Sequence, residues 1–216
     1  MTQLPDPFVL ALFLGAMALV PFVAIMVTSF VKLAVVLSLV RNALGVQQIP
    51  PNMALYGLAI ILSVYIMAPV GQAIYDGLQA LTIDLNTSAG ILQALETGAE
   101  PLRAFLMEHT TASQREFFLT TATRLWPASM AETVTPDSFF ILAPAFTVAE
   151  LTAAFEIGFL IYLPFVVIDL IVSNILLAMG MMMVSPMTIS LPLKLFLFVM
   201  VDGWSRLVEG LILSYA

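Results

Sequence analysis

The chain has 216 residues, of which 61% are hydrophobic and 10% charged, and a formal net charge of −7. Soluble domains carry about 25% charged residues, so this composition excludes an ordinary water-soluble monomer and points to a membrane or a large apolar assembly. The acidic balance excludes nucleic acid as a partner. The lack of cysteine excludes disulfides and thiolate metal sites, while His109 as the sole histidine leaves no histidine-based metal cluster.

Residues 8 to 31 carry no charge, and these 24 residues suffice to cross about 30 Å of hydrocarbon. No Lys or Arg precedes Lys32, so the positive region of a cleavable signal peptide is missing and a retained helix is expected. Lys32 interrupts the pattern, and apolar residues resume to Val40. Ile49-Pro50-Pro51-Asn52 then forces a turn, because consecutive prolines cannot continue a helix. A second uncharged segment, Met53 to Tyr75, predicts a helix antiparallel to the first, with Pro69 near its end.

Residues 76–138 differ in kind. Asp76, Asp84, Glu96, Glu100, Glu108, Glu116, Glu132 and Asp137 stand against Arg103, Arg115 and Arg124. Leu102, Phe105 and Leu106 recur at helical spacing, which predicts short amphipathic helices in a small water-facing subdomain. Thr135-Pro136-Asp137 reads as a helix start, with threonine capping and proline in the first turn. The helix from about 137 carries Glu150, Glu156 and Asp169, with Pro164 as a kink or break. Ser185-Pro186 and Leu191-Pro192 bracket a short connection, and a last helix is expected from about Pro192 to Tyr215.

The outline is all-α: an apolar helical hairpin over 1–75, an acidic helical subdomain over 76–138, and a second apolar hairpin over 139–216. Lys32 and Arg41 place the first turn on the cytoplasmic side. Four crossings then put both termini and the acidic subdomain outside.

Charges inside apolar segments are the first candidates for function. Each costs about 2.5–3.5 kcal/mol if it faces lipid at mid-depth. Glu156, Asp169, Lys194 and Asp202 therefore need partners. Lys194 is expected to pair with Glu150 or Glu156 across a subunit contact. A proton or ion relay is the alternative use of the same residues.

The methionines are the second candidate. Of thirteen in the chain, Met179, Met181, Met182, Met183 and Met187 fall close together. Three consecutive helical residues spread over about 200°, so Met181, Met182 and Met183 cannot all face one partner helix. Near a Ser-Pro turn they suit either ordinary core or lipid-facing packing, or a flexible lining that adapts its shape. Gly158, Pro164, Gly180, Pro186, Pro192 and Gly203 divide the C-terminal third into short pieces. Such division is common along transport pathways and equally where helices pack closely.

The run Phe155 to Phe165 (FEIGFLIYLPF), Ile168-Asp169-Leu170, Gly180-Met181-Met182-Met183, Ser185-Pro186, Leu191-Pro192-Leu193-Lys194 and Val201-Asp202-Gly203-Trp204 resemble the FliP/SctR family of type III secretion export-gate proteins. Ile49-Pro50-Pro51-Asn52 and Ala68-Pro69-Val70 resemble it too. Gln47-Gln48 before that turn, and the closing Gly210 to Tyr215, look like the injectisome (virulence) branch.

The resemblance implies a non-enzymatic subunit without cofactor, in a protein-conducting gate for unfolded secreted substrates. Five copies are then expected to join four SctS-like subunits and one SctT-like subunit, within a larger export apparatus bearing an inner rod and needle. Met181, Met182 and Met183 would form a gasket around the closed pore. Glu150 and Lys194 match charged positions associated with subunit contacts. The assembly would stand in the bacterial inner membrane, raised toward the periplasm, with helices buried against sister subunits as well as membrane lipids. The rival functions are a proton- or ion-coupled transporter subunit using Asp169 and Lys194, and a scaffold that nucleates the machine.

Overall fold

A computed structural model describes residues 7–46, 48–81 and 88–216. Gln47, Asp84 and residues 1–6 lie outside the described residues. Among the described residues the secondary structure is helical, with no strand: α1 (Pro7–Met26), α2 (Phe30–Leu44), α3 (Asn52–Gln79), α4 (Ser88–Glu108), α5 (Ala112–Leu125), α6 (Ala128–Ala131), α7 (Phe139–Ala178), α8 (Pro186–Met200) and α9 (Gly203–Leu213).

The first apolar segment is not one straight helix. It breaks at 27–29, and the pieces 17–26 and 30–44 meet at 61°. The break falls at Thr28 and Ser29, residue types that favour turns and caps over helix interiors. Ser29 is buried and donates to Ser63 Oγ of α3 at 3.1 Å, so its oxygen serves a tertiary contact and no N-cap bond. Lys32, the single charge that interrupts the apolar pattern, lies inside α2 and is buried.

α2 is the centre of the fold. Leu33, Val36, Leu37 and Val40 are buried with Leu55 and Ala59 of α3, Ala154 and Phe165 of α7, Phe198 of α8, and Leu207 and Leu211 of α9. α2 and α7 approach closely at Gly158, where a Cβ would stand 2.3 Å from Leu39 Cδ1. A small residue is what permits such a crossing.

The acidic segment forms α4, α5 and α6. α4 does bury Phe105 and Leu106, against Val27 and against Leu142 and Phe146 of α7. The segment thus shares a core with the C-terminal helices. α3 continues past Tyr75 to Gln79, so the end of the first hairpin falls inside a helix.

Four features of the C-terminal helices differ from those expected. α7 starts at Phe139 with Ser138 at its N-cap, not at Thr135. The Thr135 carbonyl accepts from Ser138 N–H at 3.0 Å, which closes a turn ahead of the helix. Pro164 does not break α7, which runs for 40 residues through Pro144 and Pro164. Each proline removes a single donor, and an apolar helix tolerates this where neighbours and local adjustment satisfy the freed carbonyl. The last apolar segment begins at Pro186, in the first turn of α8 where proline fits, and Pro192 lies within that helix. It then breaks at Val201–Asp202, where Asp202 takes a left-handed conformation with φ of 54° before α9.

These breaks alter the span count. α3 and α7 are long and apolar enough to cross a membrane, and the bent α1–α2 pair makes a third if it counts as one span. α8 has only 15 residues, short of the ~20 that a crossing requires. The four crossings expected from hydropathy thus become two or three. At ~1.5 Å per residue α7 is about 60 Å long, far more than the hydrocarbon thickness. Leu14, Met17, Leu19, Val20, Phe22 and Val23 of α1 are all exposed. A helix this apolar on every described side needs lipid or partner chains around it. The chain is an all-α membrane protein.

Candidate functional site

The methionine loop is built by two helix ends. α7 closes with the Met181 N–H donating to the Leu176 carbonyl at 2.9 Å and the Gly180 N–H to the Leu177 carbonyl at 3.0 Å. This is a Schellman motif, which needs a left-handed residue after the helix. Gly180 supplies it at φ 72° without a Cβ penalty. A turn follows, with Val184 N–H bonded to the Met181 carbonyl at 3.2 Å, and Pro186 opens α8. The chain therefore turns over a short loop whose methionines are exposed. Met181 is 42% exposed, Met182 82% and Met183 100%. Met179 and Met187 are exposed as well. Core packing within the chain, one of the two readings open from sequence, does not apply to these residues.

Lys194 of α8 is buried. Its Nζ donates to Asp169 Oδ2 of α7 at 2.6 Å and to the Ala43 carbonyl at 3.3 Å. That carbonyl is one of the last in α2, where a helix leaves its acceptors unpaired and its dipole favours a cation. Lys194 thereby ties three helices together. The lysine side chain is 6% exposed and the aspartate 44%.

Glu150 of α7 lies in a second cluster. Lys32 Nζ stands 3.3 Å from Glu150 Oε1, and both side chains are at least 95% buried. The Tyr215 hydroxyl donates to Glu150 Oε2. Lys32 also sits 3.6 Å from the centre of the Tyr215 ring, close enough for a cation–π attraction. The ring stacks on Phe105 and lies against His109. The two ends of the chain's apolar core are thus joined through one carboxylate.

The structure brings Asp169 and Lys194 together, and separates Glu150 from Lys194. Both ends of the Lys194–Glu150 pairing expected between subunits already have partners within one chain. Glu156 is exposed, about one and two-thirds turns beyond Glu150. Asp202 is exposed at the α8–α9 break, where Oδ1 accepts from Ser205 Oγ at 3.1 Å. Lys32 and Tyr215 were absent from the expected site residues. The signal for Lys32 was its isolation as a single charge in an apolar run. Among the described residues no group of three or more His, Cys, Asp or Glu is placed to hold a metal ion.

The FliP family model matches residues 13–211. The chain is 60% identical over 215 residues to the Yop proteins translocation protein R of Yersinia pestis, covering 100% of this chain and 99% of that protein. It is 46% identical to the harpin secretion protein HrcR of Erwinia amylovora, covering 99% of each. It is 48% identical to the virulence protein YscR of Salmonella typhimurium, covering 99% of this chain and all of that one. The chain belongs to the FliP family, within the group of type III secretion translocation proteins that includes the YscR and HrcR proteins.

Proposed function

We propose that this chain is a pore-forming subunit of a type III secretion export gate, and that Met181, Met182 and Met183 form its seal. Family membership makes it a component of the export apparatus and hence of a multi-subunit complex. The observation that carries the finer reading is the loop itself. Three consecutive methionines lie exposed on a helix-terminated turn, Met183 wholly so. Unbranched thioether side chains conform to whatever they meet. Copies of the loop brought together around an axis would close on one another at rest and yield to a passing unfolded chain. The proposed complex has five copies with four SctS-like subunits and one SctT-like subunit, in the bacterial inner membrane and raised toward the periplasm. Rod and needle extend it outward. The chain itself performs no chemistry, and drive comes from a partner ATPase and the proton-motive force.

Replacing Met181, Met182 and Met183 together by Ala tests the seal. The complex is expected to assemble to its normal size while membranes containing it leak ions and small solutes. Unchanged permeability with normal assembly sinks the seal. Intact sealing with transport lost on Asp169→Asn would favour the proton-coupled carrier instead.

A further inference from the structure

α7, α8 and α9 enclose a groove of about 440 Å³ that includes Ile161, Phe165, Leu197, Phe198 and Leu207. The helix breaks beside it at Val201–Asp202, and Leu207 and Leu211 of α9 join the core shared with α2, α7 and α8. Of the residues lining it, Arg206 alone is charged. Arg206 is exposed, and among the described residues its guanidinium has no ion pair or hydrogen bond. Asp202 and Glu209, both exposed, flank it on the same side of α9, four residues before and three after. Arg206 thus lines the apolar groove with a carboxylate on either side of it along the chain, neither of which lines the groove itself.

We propose that this groove holds one acyl chain of a phospholipid whose headgroup carries both a phosphate and a primary ammonium. The phosphate lies on Arg206, whose planar donors match phosphate oxygens. The ammonium donates to the carboxylate of Asp202 or Glu209. Basic positions between apolar helices bind lipid phosphates. The two flanking carboxylates repel a headgroup of purely negative charge, so the pattern selects a zwitterion. The site is distinct from the methionine loop and does not depend on the pore being correctly assigned.

The test is native mass spectrometry of the whole complex, purified in mild detergent and supplied with phosphatidylethanolamine or phosphatidylglycerol of identical acyl chains. Wild type is expected to retain phosphatidylethanolamine in preference. Arg206→Gln lowers its retention about tenfold at sub-saturating lipid, the equivalent of one charge-assisted hydrogen bond. Val201→Trp, which fills the groove from its exposed rim, displaces the lipid with Arg206 in place. Equal or better retention of phosphatidylglycerol overturns the proposal. So does retention unchanged in both variants, or a complex that holds no lipid and shields Arg206 with another chain. If Arg206→Gln fails to assemble, the headgroup preference of wild type and the behaviour of Val201→Trp decide the matter.

Discussion

Two lysines lie in the apolar core, and the chain treats them differently. Lys32 and Glu150 are both buried, and the Tyr215 hydroxyl and ring are turned toward them. Lys194 is equally buried, but its partner Asp169 keeps almost half of its side chain exposed. Taking two charges out of water costs several kcal/mol per ion, and attraction offsets this only when the remaining hydrogen-bonding capacity is filled. The first pair meets that condition with a phenol hydroxyl and an aromatic face. The second meets it by leaving one carboxylate partly in the surroundings. The first is therefore a closed structural device, and the second is open on one side.

The largest effect should come from breaking the closed pair. Glu150→Leu leaves a buried ammonium with only the Tyr215 ring, and should destabilise the protein by about 3–5 kcal/mol. Thermal unfolding of the detergent-solubilised protein measures this. Lys32→Met added to Glu150→Leu should restore most of the loss, since an apolar pair of similar volume is often neutral. A double variant as unstable as the single one would show that volume, and not charge, is what Glu150 supplies.

Tyr215→Phe makes a finer cut in the same cluster. Burial, with the Glu150 carboxylate beside it, pushes the Tyr215 phenol above its ordinary range, so the hydroxyl stays a donor. Phenylalanine keeps the ring over Lys32 and the stack on Phe105, and removes only the bond to Glu150. A hydrogen bond to a charged group contributes about 1.5–3 kcal/mol, so the melting point should fall less than in Glu150→Leu. Tyr215→Leu, which also loses the aromatic face, should fall further than Tyr215→Phe. Equal melting points for the two would mean that the ring contributes nothing to holding Lys32.

Part of this comparison was legible in the sequence. An uncharged run located α3, a long apolar stretch with few charges located α7, and Pro50-Pro51 fixed the turn before α3, because local chemistry decides those features. Gly180 and Pro186 marked the methionine loop for the same reason. The start of α7 was misplaced because Thr135 and Ser138 are both good caps, and which one serves depends on the turn closed by the Thr135 carbonyl. Gly203 marks a division of the C-terminal third, yet a single last helix is expected across the α8–α9 elbow, although Asp202-Gly203 joins two residue types that favour left-handed conformations. Hydropathy passes straight over that dipeptide. The ion pairs were out of reach. Lys32 and Glu150 are 118 residues apart, and periodicity tells which face a charge occupies without telling what lies across from it.

Asp169→Asn should have the smallest effect. The carboxylate is 44% exposed, and pairs with that much solvent contribute about 1 kcal/mol or less. Asparagine still accepts from Lys194 Nζ, which also keeps the Ala43 carbonyl. In the isolated, detergent-solubilised chain the melting point should therefore move only slightly. The assembled complex gives the same substitution a different meaning. If a neighbouring chain covers the open side of Asp169, the pair becomes as desolvated as Lys32–Glu150, and losing its charge strands a buried ammonium. The substitution would then weaken the complex far more than the chain. A matched small loss in both states means that Asp169 stays in contact with solvent, and that its open side serves no subunit contact. The gap between the two measurements thus reports whether the open pair is closed by assembly.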